Sequence, residues 1–301
     1  MTTPDLDGAA AFLAGSARVL EKRRFERLFA DGAPGPVRDA VAAYRNPDGG
    51  FGHGMEPDCR CPASQPAAAE LALRILDEAG EWDSVLVGGA CDWLQLNSAT
   101  GGGATFVEAT VDGWPHAPWW VPEEGRPASL IATGLIAGTL HHRGVAHPWL
   151  DRATEVMWAR IDELVSPGAY EMLGVMRFLD CVPDRARAER AFATAGPLLL
   201  DGKLVALDPD EPGEVHSPLA FAPAPGCLAR QLFDDKTIAA HLDKLAAGQA
   251  SDGGWTFNWL QWSPAATLDW RGFVTIEALT VLRGNGRLGA QTLPGWTSPA
   301  S

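Results

Sequence analysis

The chain has 301 residues, 46% of them hydrophobic, and a net charge of −14. That is enough apolar material for a large core, and the acidic balance sets aside DNA or RNA as the main ligand, because phosphate binding needs a basic face. The five cysteines (Cys59, Cys61, Cys91, Cys181, Cys227) are an odd number without framework spacing, which predicts a reducing compartment, the cytoplasm.

The opening Met1-Thr2-Thr3-Pro4-Asp5-Leu6-Asp7 shows no basic stretch ahead of an apolar one, so no secretory signal is expected. Apolar residues at helical spacing (Phe12, Leu13, Val19, Leu20, Phe25, Leu28, Phe29) predict an N-terminal helix over 6–30. A short helix follows Pro36 and runs to Tyr44. Pro66 opens the next, over 67–79, and Gly80 ends it. Helix-like runs then cover 83–96, 127–141, 148–164, 169–182 and 185–200, the last after Asp184, a good cap. Residues 217–233 are broken by Pro218, Pro223 and Pro225. Helices over 236–247 and 271–283 close the series. Strand signals are scarce, and no uncharged apolar run reaches membrane-spanning length. Shallow contact with a membrane surface stays open, as does the oligomeric state.

Between these helices a turn recurs. Asn46-Pro47-Asp48-Gly49-Gly50 runs into Phe51, and Gln249-Ala250-Ser251-Asp252-Gly253-Gly254 runs into Trp255. Gly101-Gly102-Gly103 reads as a decayed copy, and Gly168 and Gly202 occupy further turn slots. The spacing is about 35 to 65 residues, the range of two-helix repeats. Glycine permits positive φ, the aspartate caps local N–H groups, and the following aromatic packs beneath. No linker interrupts the series, so one domain over 1–301 is expected.

A glutamine or asparagine, then Asp-Gly-Gly-aromatic, then a loop and an apolar helix resembles the repeat of squalene and terpene cyclases, shared by protein prenyltransferase β subunits. Gln249–Trp255 is similar to the "QW" repeat of the squalene-hopene cyclase group, and Asn46–Phe51 is a weaker copy. The resemblance implies an all-α fold, a single α/α toroid (an α6–α6 barrel) of helical hairpins around a central cavity. It implies a proton-initiated isoprenoid cyclase acting on a linear polyprenyl substrate, a hydrophobic small molecule, without cofactor or metal.

In such cyclases an Asp-rich DxDD motif follows the turn, and its central Asp protonates an alkene or epoxide. Asp269, fourteen positions after Trp255, holds that slot in Thr267-Leu268-Asp269-Trp270, without the flanking acids. Asp58 is the counterpart after the first turn, and beside Cys59 it is similar to the acid of oxidosqualene cyclases. In a toroid both loops would face one end of the cavity. His53, Arg60 or Arg271 would stabilise the base left behind. Trp114, Trp119, Trp120, Trp255, Trp259, Trp262 and Trp270, with Phe51, His53 and Glu56, would form the substrate wall, where ring faces stabilise a cation and apolar surface excludes water.

Other roles stay open for each residue. Asp48 and Asp252 fit turn formation better than catalysis. Asp58 could cap the next segment or pair with Arg60, and Asp269 could cap a helix opening at Arg271. Trp119 and Trp120 could be ordinary hairpin packing, and His141-His142 reads as solvated. Cys59 and Cys61 near His53 and Asp58 could hold zinc, but C-x-C is not a usual structural spacing, so no metal ranks above zinc. The chain has no DDxxD segment, which disfavours metal-assisted diphosphate ionisation. Two other classes compete with the cyclase: a toroid that binds a lipid, peptide or carbohydrate without catalysis, and a carbohydrate-active toroid using Glu56, Asp58 and Asp269 as a carboxylate set.

Overall fold

The computed structural model describes residues 3–288, so both ends of the domain expected over 1–301, Met1-Thr2 included, lie outside the described residues. The helices are α1 (Leu6–Ser16), α2 (Val19–Phe29), α3 (Pro36–Ala42), α4 (Pro66–Ala79), α5 (Ser84–Leu96), α6 (Leu130–His142) and α7 (Pro148–Asp162). They continue as α8 (Ala169–Cys181), α9 (Arg185–Ala195), α10 (Leu198–Asp201), α11 (Pro218–Phe221), α12 (Asp235–Ala247) and α13 (Pro264–Gly284). Among the described residues extended pairing is limited to isolated bridges, so the chain is all-α, as its sequence predicts. It forms two compact units, Val41–Val205 and Met1–Ala40 with Ala206–Ser301.

In the unit Val41–Val205 the helices make two layers. One contains α4, α6 and α8, with α6 touching both neighbours, and the other contains α5, α7 and α9. The seam between α6 and α8 is made by glycine. A Cβ on Gly174 would overlap the carbonyl oxygen of Leu130, and one on Gly134 would overlap that of Gly174. With no side chain between them the two backbones touch, and Ile136, Leu140, Met172 and Val175 fill the flanks, all buried. In the other unit α13 contacts α1, α2 and α12.

Three expected elements differ. The single helix over 6–30 is two, α1 and α2. Gly15 and Ser16 are poor helix formers, Ala17 is extended (φ −87°, ψ 161°), and it lies where a Cβ on Gly272 of α13 would meet it. The run 185–200 breaks at Gly196-Pro197, because Pro197 lacks an N–H and its ring clashes with the preceding turn. The last helix begins at Pro264 instead of Arg271. Ser263 caps it, accepting the Ala266 N–H at 3.1 Å, and Pro264 supplies a preset first turn.

Three copies of one turn tie the helices together. In the first, Asn46 N–H donates to the Gly50 carbonyl (2.8 Å) and Gly49 N–H to that of Asn46 (3.0 Å). Ala250, Gly253 and Gly254 repeat this at 2.8 and 2.9 Å, and Ala99, Gly102 and Gly103 at 3.0 and 2.9 Å. The central glycines Gly49, Gly253 and Gly102 have φ of 94°, 93° and 111°, values that only glycine adopts without strain. A Cβ there would strike Gly89 of α5, Gly8 of α1 and Arg152 of α7 respectively. The decayed copy at Gly101–Gly103 therefore folds as the intact ones do. The register also changes: Asn46 takes the place of Ala250, so Arg45, not Asn46, stands where Gln249 stands. Gly168 and Gly202 do not make this turn. Their φ values are −79° and −78°, and they cap α8 and α10.

The α6–α8 seam gives a direct test. Gly174→Ala is expected to lower stability by at least about 1–3 kcal/mol through overpacking. Gly88→Ala, in α5 where nothing lies within 4 Å of an added Cβ, is expected to raise it by about 0.5–1 kcal/mol. Urea unfolding of the two variants against the parent measures both.

Candidate active site

Below the first turn the chain runs as a loop from Phe51 to Gln65 and into α4. Phe51 is fully buried beneath the turn, and its carbonyl accepts the Gln65 N–H at 2.9 Å. Asp48 accepts from Gly50 N–H (2.9 Å) and Ser64 Oγ (2.8 Å), which makes it a turn former. His53 is exposed, with φ of 58°, and its Nε2 lies 2.8 Å from Asn46 Oδ1. Asn46 in turn donates to Pro62 O and Ser64 Oγ. This network locks the turn, and His53 belongs to it.

The acids of this loop are buried: Glu56 is 9% exposed and Asp58 4%. The Asp58 N–H donates to Glu56 Oε2 at 2.7 Å, so the two carboxyl-bearing residues share one bend. Asp58 also receives a second strand of chain. Its carbonyl accepts from Ala117 N–H (2.8 Å), and Arg60 N–H donates to the Pro115 carbonyl (2.8 Å). Gln65, 1% exposed, fixes the approach of that strand. Its Nε2 donates to Thr110 Oγ1 (2.9 Å) and its Oε1 accepts the Glu108 N–H (2.9 Å). Cys61 Sγ donates to the Thr110 carbonyl at 3.1 Å.

Within this fold lies a pocket of about 150 Å³ lined by Gly52, Met55, Glu56, Cys59, Gln65 and Trp120, among others. Trp120 is 2% exposed, and its ring is 5.9 Å from that of Phe106. Trp114 and Trp119, on the same loop, are 48% and 38% exposed. Burial pushes the Cys59 thiol up to about 12, against a smaller lowering by the Cys61 backbone N–H, so it stays protonated and unreactive. Among the described residues no three His, Cys, Asp or Glu side chains are grouped to hold a metal.

The C-terminal repeat is built on α13. Trp255 is buried at 3% exposure beneath its turn, with Nε1 donating to the Leu245 carbonyl (2.8 Å) at the end of α12 and its own N–H donating to Thr275 Oγ1 (2.9 Å). Thr133 of α6 serves the third turn the same way, accepting the Ala104 N–H at 3.0 Å. Gln249 closes onto the start of the chain, accepting from Asp5 N–H and donating to its carbonyl, each at 2.7 Å. Arg271 grips Asp252 with both ends of its guanidinium, at 2.7 and 2.8 Å, and lies over the Phe12 ring. It belongs to the turn, in the way His53 does in the first copy.

Asp269 is half-buried in the second turn of α13. It does not cap that helix, since Ser263 does. Beside it runs a set of rings that the sequence names in part. Phe257 stacks on Trp259 (4.3 Å), Trp259 meets Trp270 edge-on (5.2 Å), and Trp270 meets Phe273 (5.5 Å). Trp262 is half-buried. The structure thus groups Glu56, Asp58 and Trp120 in one unit and Asp269, Trp259 and Trp270 in the other. Phe51 and Trp255 sit under their turns, while His53, Trp114 and Trp119 are exposed. Sequence reasoning missed Gln65, Met55 and Phe257. A glutamine just before a helix reads as an ordinary cap position, and only the long-range clamp to residues 108–110 distinguishes it. His141, expected to be solvated, bonds Thr154 Oγ1 at 2.8 Å, and burial lowers its pKa.

No family model matches the chain, and no curated protein matches it. Solved structures do. The type II terpene cyclase MstE from Scytonema, in its apo form, superposes with a TM-score of 0.54 at 13% identity, covering 94% of this chain and 96% of that one. An Asp→Asn variant of MstE in complex with geranylgeranyl dihydroxybenzoate (substrate) gives 0.54 and 13%, covering 94% and 97%. An Asp→Ala variant in complex with merosterolic acid A (product) gives 0.55 and 14%, covering 94% and 96%. At this identity the likeness is one of fold, so the chain has a terpene cyclase-like all-α fold. No described helix is long and apolar enough to cross a membrane.

The Asp252–Arg271 pair predicts a pH dependence. The Arg271 hydrogen bonds hold the Asp252 carboxyl below its ordinary value, against a small desolvation. A carboxyl depressed on folding stabilises above its unfolded value of about 3.9, and that contribution is lost as pH falls through the folded value. Asp252→Asn is therefore expected to flatten the loss of stability below pH about 4, read from urea midpoints across the acid range.

Proposed function

We propose that this chain is a proton-initiated, class II-like isoprenoid cyclase that acts on a linear polyprenyl substrate, within the squalene-hopene type of repeat protein. The observation that carries the reading is the buried bend of Glu56 and Asp58, with Glu56 lining one pocket with Trp120, in a fold like that of a type II terpene cyclase.

An alkene is a very weak base, so the donor must be neutral before transfer and strongly acidic at the moment of it. Burial disfavours the charged form of a carboxyl group, and a second carboxyl beside it shares the proton. Asp58 meets the first condition, being 4% exposed, and its backbone N–H bonds the Glu56 carboxyl, which ties the two residues into one bend. Asp269 is half-buried and meets the first less well, so we assign the acid to Asp58. In this reading Asp58 gives its proton to a terminal alkene carbon. The electrons of the next double bond attack the resulting cation and close a ring, and a final proton loss restores an alkene. The net change is isomerisation, and no cofactor enters. Ring faces near the reacting carbons stabilise the cation, and Trp120, which lines the same pocket as Glu56, supplies one. Initiation is assigned to protonation because the sequence has no DDxxD segment for metal-assisted loss of diphosphate. Cytoplasmic residence fits the free thiols.

Incubation with squalene, farnesol, geranylgeraniol and the corresponding diphosphates, read by mass spectrometry, tests the reading. A cyclic isomer of at least one polyene is expected. Asp58→Asn should reduce its formation by about 10²–10⁴-fold, the range for loss of a general acid, and Asp269→Asn should leave most of it. No turnover of any polyene rejects the cyclase, and loss only in Asp269→Asn moves the acid to α13.

A further inference from the structure

We infer that Trp120 is a removable plug, carried on a glycine-bounded flap, that sets which chains can enter the pocket beside Glu56. The inference rests on the proposed function for its substrate class and on geometry alone for the flap.

The pocket beside Glu56 holds about 150 Å³ of empty space, part of it open to solvent, and leaves no room for even a water-sized guest, so it admits no substrate as it stands. Its walls come from two places. Gly52, Met55, Glu56, Cys59, Gln65 and Ala68 belong to the loop below the first turn and to α4. Trp120 comes from sixty residues on, and is the lining residue contributed by a different loop. Removing that one ring joins the pocket to the space it fills.

The loop that carries it is built to move as a piece. Its neck is pinned: Thr100 N–H donates to the Arg126 carbonyl (2.8 Å), Thr100 Oγ1 to that of Gly125 (2.7 Å), and Arg126 Nη2 to the Asn97 carbonyl (2.9 Å) and Glu108 Oε1 (2.7 Å). Its near arm is pinned too, by the Gln65 clamp on Glu108 and Thr110. Beyond that clamp the chain differs. Gly113 and Gly125 bound a stretch of thirteen residues, both have positive φ (83° and 76°), and nothing lies within 4 Å of a Cβ on either. At Gly113 backbone torsion can change without displacing a neighbour, whereas Gly125, its carbonyl held by Thr100 Oγ1, is the fixed edge of the flap. Between them the flap meets the acid loop through main chain, at Arg60 N–H to Pro115 and Ala117 N–H to Asp58. Pro115, Pro118 and Pro122 stiffen the piece that swings. Trp114, Trp119 and Val121 on its outer side are exposed, so opening withdraws Trp120 and Ala117 and breaks the two main-chain bonds to the acid loop. Gln65 is the positioning residue that fixes where the flap returns.

Two measurements test this on the full chain. In hydrogen–deuterium exchange of the parent protein, the amides of Arg60 and Ala117 should exchange together and at least about tenfold faster than the clamped amide of Glu108, as expected of a local opening. Equal protection of the three would overturn the flap. In titrations with geranylgeraniol, Trp120→Ala should bind at least about tenfold more tightly than the parent, equivalent to about 1.4 kcal/mol. Val121→Ala, on the same flap but outside the pocket, should bind as the parent does. Unchanged binding in Trp120→Ala beside measurable binding in the parent would overturn the plug. A fast-opening flap with no polyprene bound by parent or variant would support the flap and reject the proposed substrate.

Discussion

The close approach of a left-handed glycine to a neighbouring helix is the constraint on which the rest of this architecture depends. At Gly49, Gly102 and Gly253 the turn is closed by the same two main-chain hydrogen bonds, and at each the missing Cβ lets the turn meet α5, α7 or α1. That contact fixes where the following loop starts. The loop then carries a buried aromatic or small residue beneath the turn, and a threonine of the next helix holds the backbone at Ala104 and Trp255. The candidate acids lie downstream of this anchor, Asp58 in the loop it launches and Asp269 in the helix that follows. Their positions are consequences of turn geometry before they are matters of chemistry.

Much of this was legible in the sequence because the turn signal is local. Asp-Gly-Gly before an aromatic needs only neighbouring residues to be read, and even Gly101–Gly103, without its aspartate, kept enough glycine to fold the same way. Helices with a periodic apolar face were equally plain. The misreadings came where tertiary contact overrode local pattern. Ala17 breaks the first helix because it packs against Gly272, a partner more than 250 residues away. Pro264 opens the last helix inside a stretch whose tryptophans read as loop. Gly168 and Gly202 had the right residue at the right interval but no second glycine, and each became a helix cap.

The candidate site was legible by residue type and less so by role. Buried Asp58 and Glu56 could be nominated from their place after the turn. The function of Gln65 could not, because it depends on a clamp to residues 43 and 45 positions away. Phe51 and Trp255 illustrate the opposite case: their rings were expected in a substrate wall, and they lie packed under their own turns. An aromatic that follows a tight turn has the nearest core to fill, and burial there is worth about 1.5–3 kcal/mol. The Asp252–Arg271 and Asn46–His53 pairs show the same economy among polar groups, since each satisfies a turn and so withholds a charged or ring nitrogen from Asp269 or Asp58.

The bond between Gln249 and Asp5 joins residues 244 positions apart, and α1 and α13 belong to one compact unit. Helix α1 is synthesised before the glycine turn that seats it. At about 5–20 residues per second the delay is roughly 12 to 50 s. During that interval the two helix layers of Val41–Val205 have all their members, whereas α1 and α2 have each other but still lack α13. Packing of Val41–Val205 can therefore be complete before α1 and α2 are seated, and those two helices wait longest for their partner.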